Sequence, residues 1–302
     1  MASSWHERSA SFFRDAQAQI LASLEAFEPE ARFVRDAWTR EPNEDGPILG
    51  GHGLTCVLEG GEVFEKGGVN VSVVHGRFSE EFARTLPGEG LTFSACGVSL
   101  VLHPRNPHVP TVHMNHRRLS RGDTGWFGGG SDLTPYYLVE EDARHFHATL
   151  KGACDRHPDV ADYAAYKEAC DKYFYLSHRK EARGVGGTFY DYLRDDPEAT
   201  FAFIQDSCLS FIEAYTPIVA RRKDTPYTEQ ERAWQLQRRG RYVEFNLVLD
   251  RGTVFGLKTG GRIESILMSL PNLVSWHYDR WPEEGTPEAA LLDVVRNPRD
   301  WV

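Results

Sequence analysis

The sequence is poor in cysteine and contains no long apolar run. Its 302 residues include five cysteines with no C-x-x-C pair. The cysteines are Cys56, Cys96, Cys154, Cys170 and Cys208. An odd number of widely spaced thiols is typical of a reducing compartment and excludes a disulfide framework or a zinc ribbon. No apolar run approaches the roughly 18–20 residues that a transmembrane helix needs, so we expect no transmembrane segment.

Positive charge is also in short supply. The chain has 34 basic and 44 acidic residues, which gives a net charge of −10. This balance argues against nucleic-acid binding, whose affinity comes mainly from Lys and Arg on phosphates, and against a polybasic membrane-surface protein. Residues 217–262 are the exception, with ten basic and five acidic side chains. That stretch is either a solvated helix face or a local anion site.

Several catalytic motifs are missing as well. The chain has no Walker A motif, no G-x-G-x-x-G fingerprint, no H-E-x-x-H pair and no readable Ser-His-Asp order. The first 33 residues include five acidic side chains and lack an apolar core. A transit peptide is poor in acids and a signal peptide has an apolar core, so we expect a cytoplasmic protein.

Hydrophobic periodicity divides the chain into strands, then helices, then strands again. Strand patterns cover 54–58, 69–74, 92–103, 109–117, 242–249, 253–257 and 263–270, and helical patterns cover 11–27, 140–154, 163–179, 197–219 and 229–240. Asp196-Pro197 and Thr228-x-x-Glu231 are helix-start signals. This order predicts an α+β chain with a mainly antiparallel sheet. We interpret 1–302 as one domain with an N-terminal helix at about 7–28.

Histidines are concentrated between residues 103 and 178, where eight of the twelve lie. If 109–117 is a strand, His113, Asn115 and Arg117 share one face. Ser99 and His103 share a face of the preceding strand. A face that carries His, Asn and Arg in succession is either a solvated sheet surface or the wall of a pocket.

Two further histidines lie on the apolar stripes of predicted helices. His147 aligns with Phe146 and Leu150, and His178 aligns with Phe174. Inward histidines are either hydrogen-bonded core residues or ligands. The set His103, His113, His147 and His178 would form a metal site only if the fold brings them together, because their spacing matches no compact motif.

Two glycine-rich segments precede charged residues. Glycines 128–130 lead to Asp132, and glycines 260 and 261 lead to Arg262. Glycine lets the backbone approach a bulky ligand closely, although either segment is also compatible with a turn. Together with the histidines, these charges predict a pocket for an anionic ligand.

Longer strings carry a family resemblance. From about residue 53 to 278 the chain resembles the oxygen-dependent coproporphyrinogen III oxidases. The matching strings are FSACGVSLVLHP at 93–104, VPTVHMN at 109–115, WFGGGSDLTPYY at 126–137, YFYLSHRKEARGVGG at 173–187 and GRYVEFNLVLDRGTVFGLKTGGRIESILMSL at 240–270. These are several long motifs of unusual composition in the right order.

The resemblance implies a large, mainly antiparallel sheet flanked by helices on both faces. It implies oxidative decarboxylation of two propionates of coproporphyrinogen III to vinyl groups. The product is protoporphyrinogen IX, an intermediate of haem biosynthesis, and dioxygen is the oxidant. No organic cofactor is implied, and a divalent metal is left open. The resemblance also implies a homodimer, with a dimerisation region at about 242–278.

The resemblance also assigns roles to individual residues. His113 matches the proton donor, and Asp132 matches an aspartate that faces the pyrrole nitrogens. The substrate-contacting positions are Ser99, Asn115, His116, Arg117, Gly260, Gly261 and Arg262. The proposed metal ligands are His103, His113, His147 and His178. The chain departs from the family pattern at Ala169, Thr188, Tyr190 and His116.

Two other functions stay open at this point. One is a tetrapyrrole carrier that has kept the pocket and lost turnover, which the departures suggest. The other is a metal-dependent hydrolase or oxygenase built on the four histidines.

Overall fold

The computed structural model of the chain describes residues 4–40, 50–258 and 261–302. Its strands are β1 (Val34–Arg40), β2 (Gly50–Glu59), β3 (Phe64–Arg77), β4 (Thr92–Pro104), β5 (Thr111–Arg121), β6 (Thr124–Thr134), β7 (Tyr175–Leu176), β8 (Glu181–Ala182) and β9 (Gly186–Leu193). Seven of them form a sheet in the order β1-β2-β3-β4-β5-β6-β9, and each neighbouring pair is antiparallel. The mainly antiparallel sheet of an α+β chain is therefore confirmed.

Helices precede, interrupt and follow the strands. They are α1 (Trp5–Glu25), α2 (Glu80–Ala83), α3 (Glu140–Asp155), α4 (Tyr163–Tyr173), α5 (Pro197–Arg222), α6 (Glu229–Glu244), a π-helix (Phe245–Leu249), α7 (Arg251–Lys258), α8 (Ile263–Leu267) and α9 (Pro287–Arg296). The two helix-start signals are confirmed. Asp196 accepts a hydrogen bond from the Ala199 N–H, and Thr228 with Glu231 forms a capping box. No helix in these described ranges is long and apolar enough to span a bilayer.

The two faces of the sheet differ in polarity. Helix α1 lies against β3 and β4, α5 lies against β5 and β6, and α3 packs on α5. The strand residues on this face are apolar and buried, so it contains the main hydrophobic core. On the opposite face, polar side chains of β3, β4 and β5 are only half-buried. That second face is partly covered by the segment from α6 to α8 and carries the candidate site.

The second group of predicted strands was wrong. Residues 242–249 belong to the end of α6 and the π-helix, while 253–257 lie in α7 and most of 263–270 lies in and just after α8. The apolar residues of this segment are divided between positions buried on the sheet and exposed positions such as Val248 and Ile263, and its described residues pair in no strand. Tyr242, for example, is buried and its ring meets the His103 ring edge-on at 5.0 Å. Helix α6 also continues through Gly240 to Glu244. Glycine suits position 240 because a Cβ there would lie 3.0 Å from the Ser275 carbonyl oxygen and 3.1 Å from Trp276 Nε1.

Five strands were missed, β1, β6, β7, β8 and β9, and two of them, β6 and β9, are rich in glycine. β6 and β9 include glycines 128–130 and 186–187, which lower strand propensity. In the structure Gly130 has φ 145°, and a Cβ there would lie 2.0 Å from the Thr188 carbonyl oxygen. Close approach of the paired backbones therefore requires glycine. The helix predicted at 163–179 ends at Tyr173, before the short hairpin of β7 and β8.

Candidate active site

The half-buried polar face of β5 carries three of the predicted side chains. His113, Asn115 and Arg117 alternate with Val112, Met114 and His116 along the strand. The first three are half-buried, while the others are fully buried against the helices. The predicted alternation of β5 is therefore confirmed.

One row of polar residues crosses the sheet from β1 to β5. Cross-strand pairing aligns Asp36, Thr55, Asn70, Ser99 and Asn115 in that order. Neighbouring strands lie about 4.8 Å apart, so four steps span about 19 Å. These five residues define what we call the sheet cleft. Asp36, Asn70, Ser99 and Asn115 are at least partly exposed, whereas Thr55 is buried beneath Ser265 of α8.

His113 and Asp132 form a pair beside this row. They are direct cross-strand neighbours on β5 and β6, and His113 Nδ1 lies 2.8 Å from Asp132 Oδ1. The His113 side chain is 23% exposed and the Asp132 side chain 2%. Asp132 thus lies behind His113, and it is His113 that reaches the open face.

Arg183 holds the other side of Asp132. Its Nη2 lies 2.8 Å from both carboxylate oxygens, and its side chain is 2% exposed. Burial alone would raise the pKa of Asp132, but Arg183 and His113 outweigh it and the pKa of Asp132 is lowered. The carboxylate is therefore ionised and accepts only, so His113 Nδ1 must donate its proton to it. That fixes the tautomer and leaves Nε2 as the nitrogen available for proton transfer.

Three aromatic rings surround the Arg183 guanidinium. Its central carbon lies 4.1 Å from the Phe174 ring centroid, 4.6 Å from that of Tyr242 and 4.8 Å from that of Phe245. Arg183 Nη1 also donates to Asn246 Oδ1 at 2.9 Å. Sequence reasoning missed this arginine, although it lies within the 173–187 string that carries the family resemblance. Its partners come from three separate parts of the chain, which no local pattern relates.

Arg117 lies on the β5 side of the sheet cleft. Its Nη1 donates to Asn115 Oδ1 at 2.9 Å and its Nη2 to Asp191 Oδ2 at 2.8 Å. Its side chain is 29% exposed. A guanidinium with this exposure can present planar N–H donors to a carboxylate.

Arg262 lies at the β1 end of the sheet cleft, just before α8. It pairs with Asp36 and donates to Ser265 Oγ at 3.0 Å. Ser265 Oγ in turn lies 2.7 Å from Thr55 Oγ1, on the cleft floor. Gly261 precedes Arg262 and donates its N–H to the carbonyl of Gly256 at 2.7 Å. Gly260 lies outside the described residues.

A further polar group borders the cleft near the π-helix, and sequence reasoning missed it. The Arg251 guanidinium lies 4.9 Å from the centre of the Tyr173 ring, and the Tyr173 hydroxyl donates to Asp250 at 2.9 Å. Tyr173 stacks on Phe189 of β9 with 4.3 Å between centroids. Only Tyr173 was in a predicted element, a helix, and its partners lie outside the predicted strands and helices, so their proximity was not foreseen.

His116 is not part of the cleft. It lies on the opposite face of β5, fully buried, with Nδ1 3.1 Å from the Tyr190 hydroxyl. Burial, followed by the nearby charges of Arg117 and His113, lowers the pKa of His116 to about 3. The predicted substrate contact at His116 is therefore corrected, because strand alternation turns its ring toward α5.

The four histidines predicted as metal ligands do not converge. His103 lies against Thr111 and the Ser269 carbonyl. His147 lies against Tyr163 and the Val185 carbonyl. His178 pairs with Glu244, and His113 pairs with Asp132.

These separate locations correct the metal-site prediction. Among the described residues, no three His, Cys, Asp or Glu side chains are grouped so that they could hold a metal ion. Both ring nitrogens of His103 and of His147 already have protein partners. Burial is also the main cause that lowers the pKa of His103 well below its usual value and that of His147 to about 4. His103 and His147 thus fit hydrogen-bonded structural roles, and we derive no step through a metal.

Comparison with known proteins matches residues 8–301 to the family described as "Coproporphyrinogen III oxidase". The chain belongs to this family. It is 48% identical to coproporphyrinogen-III oxidase 1, chloroplastic, of Arabidopsis thaliana, over 99% of this chain and 80% of the relative. It is 49% identical to the oxygen-dependent coproporphyrinogen-III oxidase, mitochondrial, of Homo sapiens, over 95% of this chain and 65% of the relative. A chloroplastic relative of Nicotiana tabacum is 48% identical over 96% of this chain and 75% of its own length.

Membership of the coproporphyrinogen III oxidase family agrees with the chemistry of the cleft. Arg262 and Arg117 border its β1 and β5 sides, and an Asp–His pair lies at the β5–β6 side. Such a site suits a large ligand with several carboxylates, each able to accept paired N–H donors. The site also places a proton-transfer group, His113 Nε2, at the open face.

Proposed function

We propose that the chain oxidatively decarboxylates two propionates of coproporphyrinogen III to vinyl groups, giving protoporphyrinogen IX in haem biosynthesis. Dioxygen is the oxidant, as the names of the human and tobacco relatives state for those proteins. The observation that carries the proposal is the buried Arg183–Asp132–His113 chain, which ends in an accessible imidazole in the cleft of a chain of this family.

The arginines serve to position the substrate. Propionates on opposite sides of the macrocycle contact Arg117 and Arg262, which lie on the β5 and β1 sides of the sheet cleft. Bidentate pairing with a guanidinium fixes orientation as well as position. The pyrrole rings then lie over the floor of the cleft, near His113.

His113 moves the proton in the proposed reaction. Its Nε2 accepts a pyrrole N–H proton, while Asp132 stabilises the imidazolium that results. The electron-rich ring reacts directly with dioxygen. For each propionate, the bond to the carboxyl carbon and one β C–H bond break, and the vinyl double bond forms. Carbon dioxide leaves, and dioxygen takes up two electrons and two protons to become hydrogen peroxide.

Asp132→Asn tests this assignment. An amide at this position leaves Arg183 without its counter-charge and no longer stabilises the imidazolium, so we expect kcat to fall at least about a hundredfold. The assay incubates the pure protein with coproporphyrinogen III in air and follows protoporphyrin fluorescence after oxidation. Full turnover by the variant would remove the proposed role of Asp132.

Asp142→Asn is the matched control for that variant. Asp142 is also a buried carboxylate paired with arginines, Arg221 and Arg222, but it lies on α3, on the far side of the sheet. We expect Asp142→Asn to keep the wild-type kcat.

A wild-type protein that binds the substrate and forms no product would overturn the oxidase proposal in favour of a carrier.

We further propose that the chain is a homodimer that acts in the cytoplasm. Seven of the large apolar residues exposed in the described chain lie between 242 and 278, and they are Leu247, Val248, Leu257, Ile263, Leu273, Trp276 and Tyr278. This concentration of exposed apolar side chains in one segment favours a protein partner. The cytoplasmic location rests on composition, whereas the relatives are named as chloroplastic or mitochondrial. Cell fractionation tests that location.

A further inference from the structure

The two arginines on either side of the sheet cleft, Arg117 and Arg262, are each already paired with a carboxylate of this chain. Arg117 pairs with Asp191 at 2.8 Å, and Arg262 pairs with Asp36. Neither arginine is buried, since each side chain is 29% exposed. A ligand carboxylate that reaches either guanidinium therefore competes with an internal carboxylate for the same N–H donors.

The Asp191 pair depends on the shape of the neighbouring strand. The Oδ1 atom of Asp191 lies 2.5 Å from the position that a Cβ of Gly128 would occupy, and Arg117 Nη2 lies 3.2 Å from it. A side chain at position 128 would thus displace the carboxylate from Arg117. The first glycine of the G-G-G string makes room for Asp191, so the pair is built into β6 and β9.

The Asp36 pair is more exposed, but it is tied to the cleft floor. Asp36 is aligned with Thr55 across β1 and β2, and its side chain is 49% exposed. Arg262 reaches Thr55 through Ser265, by contacts of 3.0 Å and 2.7 Å. The guanidinium is therefore held over the cleft floor whether or not Asp36 stays in contact with it.

We propose that Asp191 and Asp36 occupy the carboxylate positions on Arg117 and Arg262, so that ligand carboxylates must displace them to bind. This rests on the proposed function, since it takes the propionates of the substrate as the displacing groups. The two aspartates are specificity-determining residues. They lower the affinity of the cleft for carboxylates in general and favour a ligand with enough carboxylates to displace both.

Asp191→Asn and Asp36→Asn test the proposal by equilibrium binding. The probe is coproporphyrin III, the aromatic form of the proposed substrate with the same four propionates, and absorbance titration gives its Kd. Exposed ion pairs are weak, so we expect each variant to bind about two- to fivefold more tightly than wild type. The two pairs lie on opposite sides of the cleft, and the fold-changes of the double variant should multiply.

Glu198→Gln is the matched control because it removes one negative charge from another arginine pair. Glu198 pairs with Arg8 at the start of α5, on the other side of the sheet. We expect its Kd to equal that of wild type. If Glu198→Gln lowers the Kd for coproporphyrin III as much as the aspartate variants do, the change in net charge explains the effect and the proposal is overturned.

Unchanged or weaker binding in both aspartate variants also overturns the proposal. Tighter binding in only one of the two variants restricts the proposal to that aspartate–arginine pair. If Asp191→Asn fails to fold, Asp36→Asn still tests the proposal, because Asp36 is exposed and its replacement should leave the fold intact. Wild-type protein that does not bind coproporphyrin III at all contradicts the proposed function instead, so the two failures are distinguishable.

Discussion

The two histidines of β5 show how the face of a strand on which a side chain lies decides its chemistry. His113 faces the cleft and pairs with Asp132, whereas His116 faces α5 and lies beside Tyr190. Burial leaves the ring of His116 neutral, with a pKa of about 3. The same residue type thus serves as a proton-transfer group on one face and as a structural group on the other.

Burial of His116 makes the folded state sensitive to acid. Its folded pKa of about 3 lies below the roughly 6.5 of an unfolded chain, so only the unfolded state takes up its proton as pH falls from 6.5. Stability is therefore lost across this window. From pH 6.5 to 5.0 the loss due to this group is about 1.5 kcal/mol.

His116→Gln should reduce that pH dependence by the same amount. The measurement is the free energy of unfolding in urea at pH 6.5 and at pH 5.0, and the difference between the two is compared with that of wild type. Replacement of the exposed His52 by glutamine is the control and should leave the difference unchanged. An equal pH dependence in His116→Gln and wild type would refute the prediction.

At the scale of the element, the pairing of β6 with β9 positions the site. Asp132 lies on β6, Asp191 lies on β9, and the two strands approach closely at Gly130. Gly130 combines φ 145° with a Cβ position 2.0 Å from the Thr188 carbonyl oxygen. Any side chain there must distort this pairing.

Gly130→Ala should therefore destabilise the protein by more than about 3 kcal/mol, because backbone strain and overlap add. Gly60→Ala is the control, since Gly60 has φ 73° with no atom within 4 Å of its Cβ position. Strain alone should cost about 1 kcal/mol there. The measurement is the free energy of unfolding of both variants. Equal losses of stability in Gly130→Ala and Gly60→Ala would contradict the role of the close β6–β9 approach.

At the scale of the whole molecule, apolar exposure is concentrated beside the segment that covers the cleft. Val248, in the π-helix, is 65% exposed and Leu273 is 54% exposed. Both lie in the 242–278 region that the family resemblance implies for dimerisation. The same region carries Arg251 and Arg262. Contact with a second copy would therefore also stabilise the segment from α6 to α8 that partly covers the cleft.

Val248→Asp and Leu273→Asp should shift the protein toward monomer, because each places a charge in the proposed apolar interface. Sedimentation velocity at micromolar concentration measures the change. Val34→Asp is the control, since Val34 is 71% exposed on the edge strand β1, outside the 242–278 region. Wild-type protein that sediments only as a monomer would contradict the dimer.

Local patterns in the sequence determined much of the architecture. Alternation placed His113, Asn115 and Arg117 on one face, and capping signals located the starts of α5 and α6. The long strings identified the family, which the comparisons confirmed. These features were accessible because each depends on residues close together in the chain.

Only the tertiary structure decided what those elements bring together. It made helices of residues 242–258, separated the four histidines and joined Arg183 to Asp132 within a ring of aromatic side chains. It also placed Asp36 and Asp191 on the cleft arginines. The two members of each of these ion pairs lie roughly 50 to 230 residues apart along the chain. Their contacts follow from packing of the whole sheet and its helices, which periodicity over a few residues does not encode.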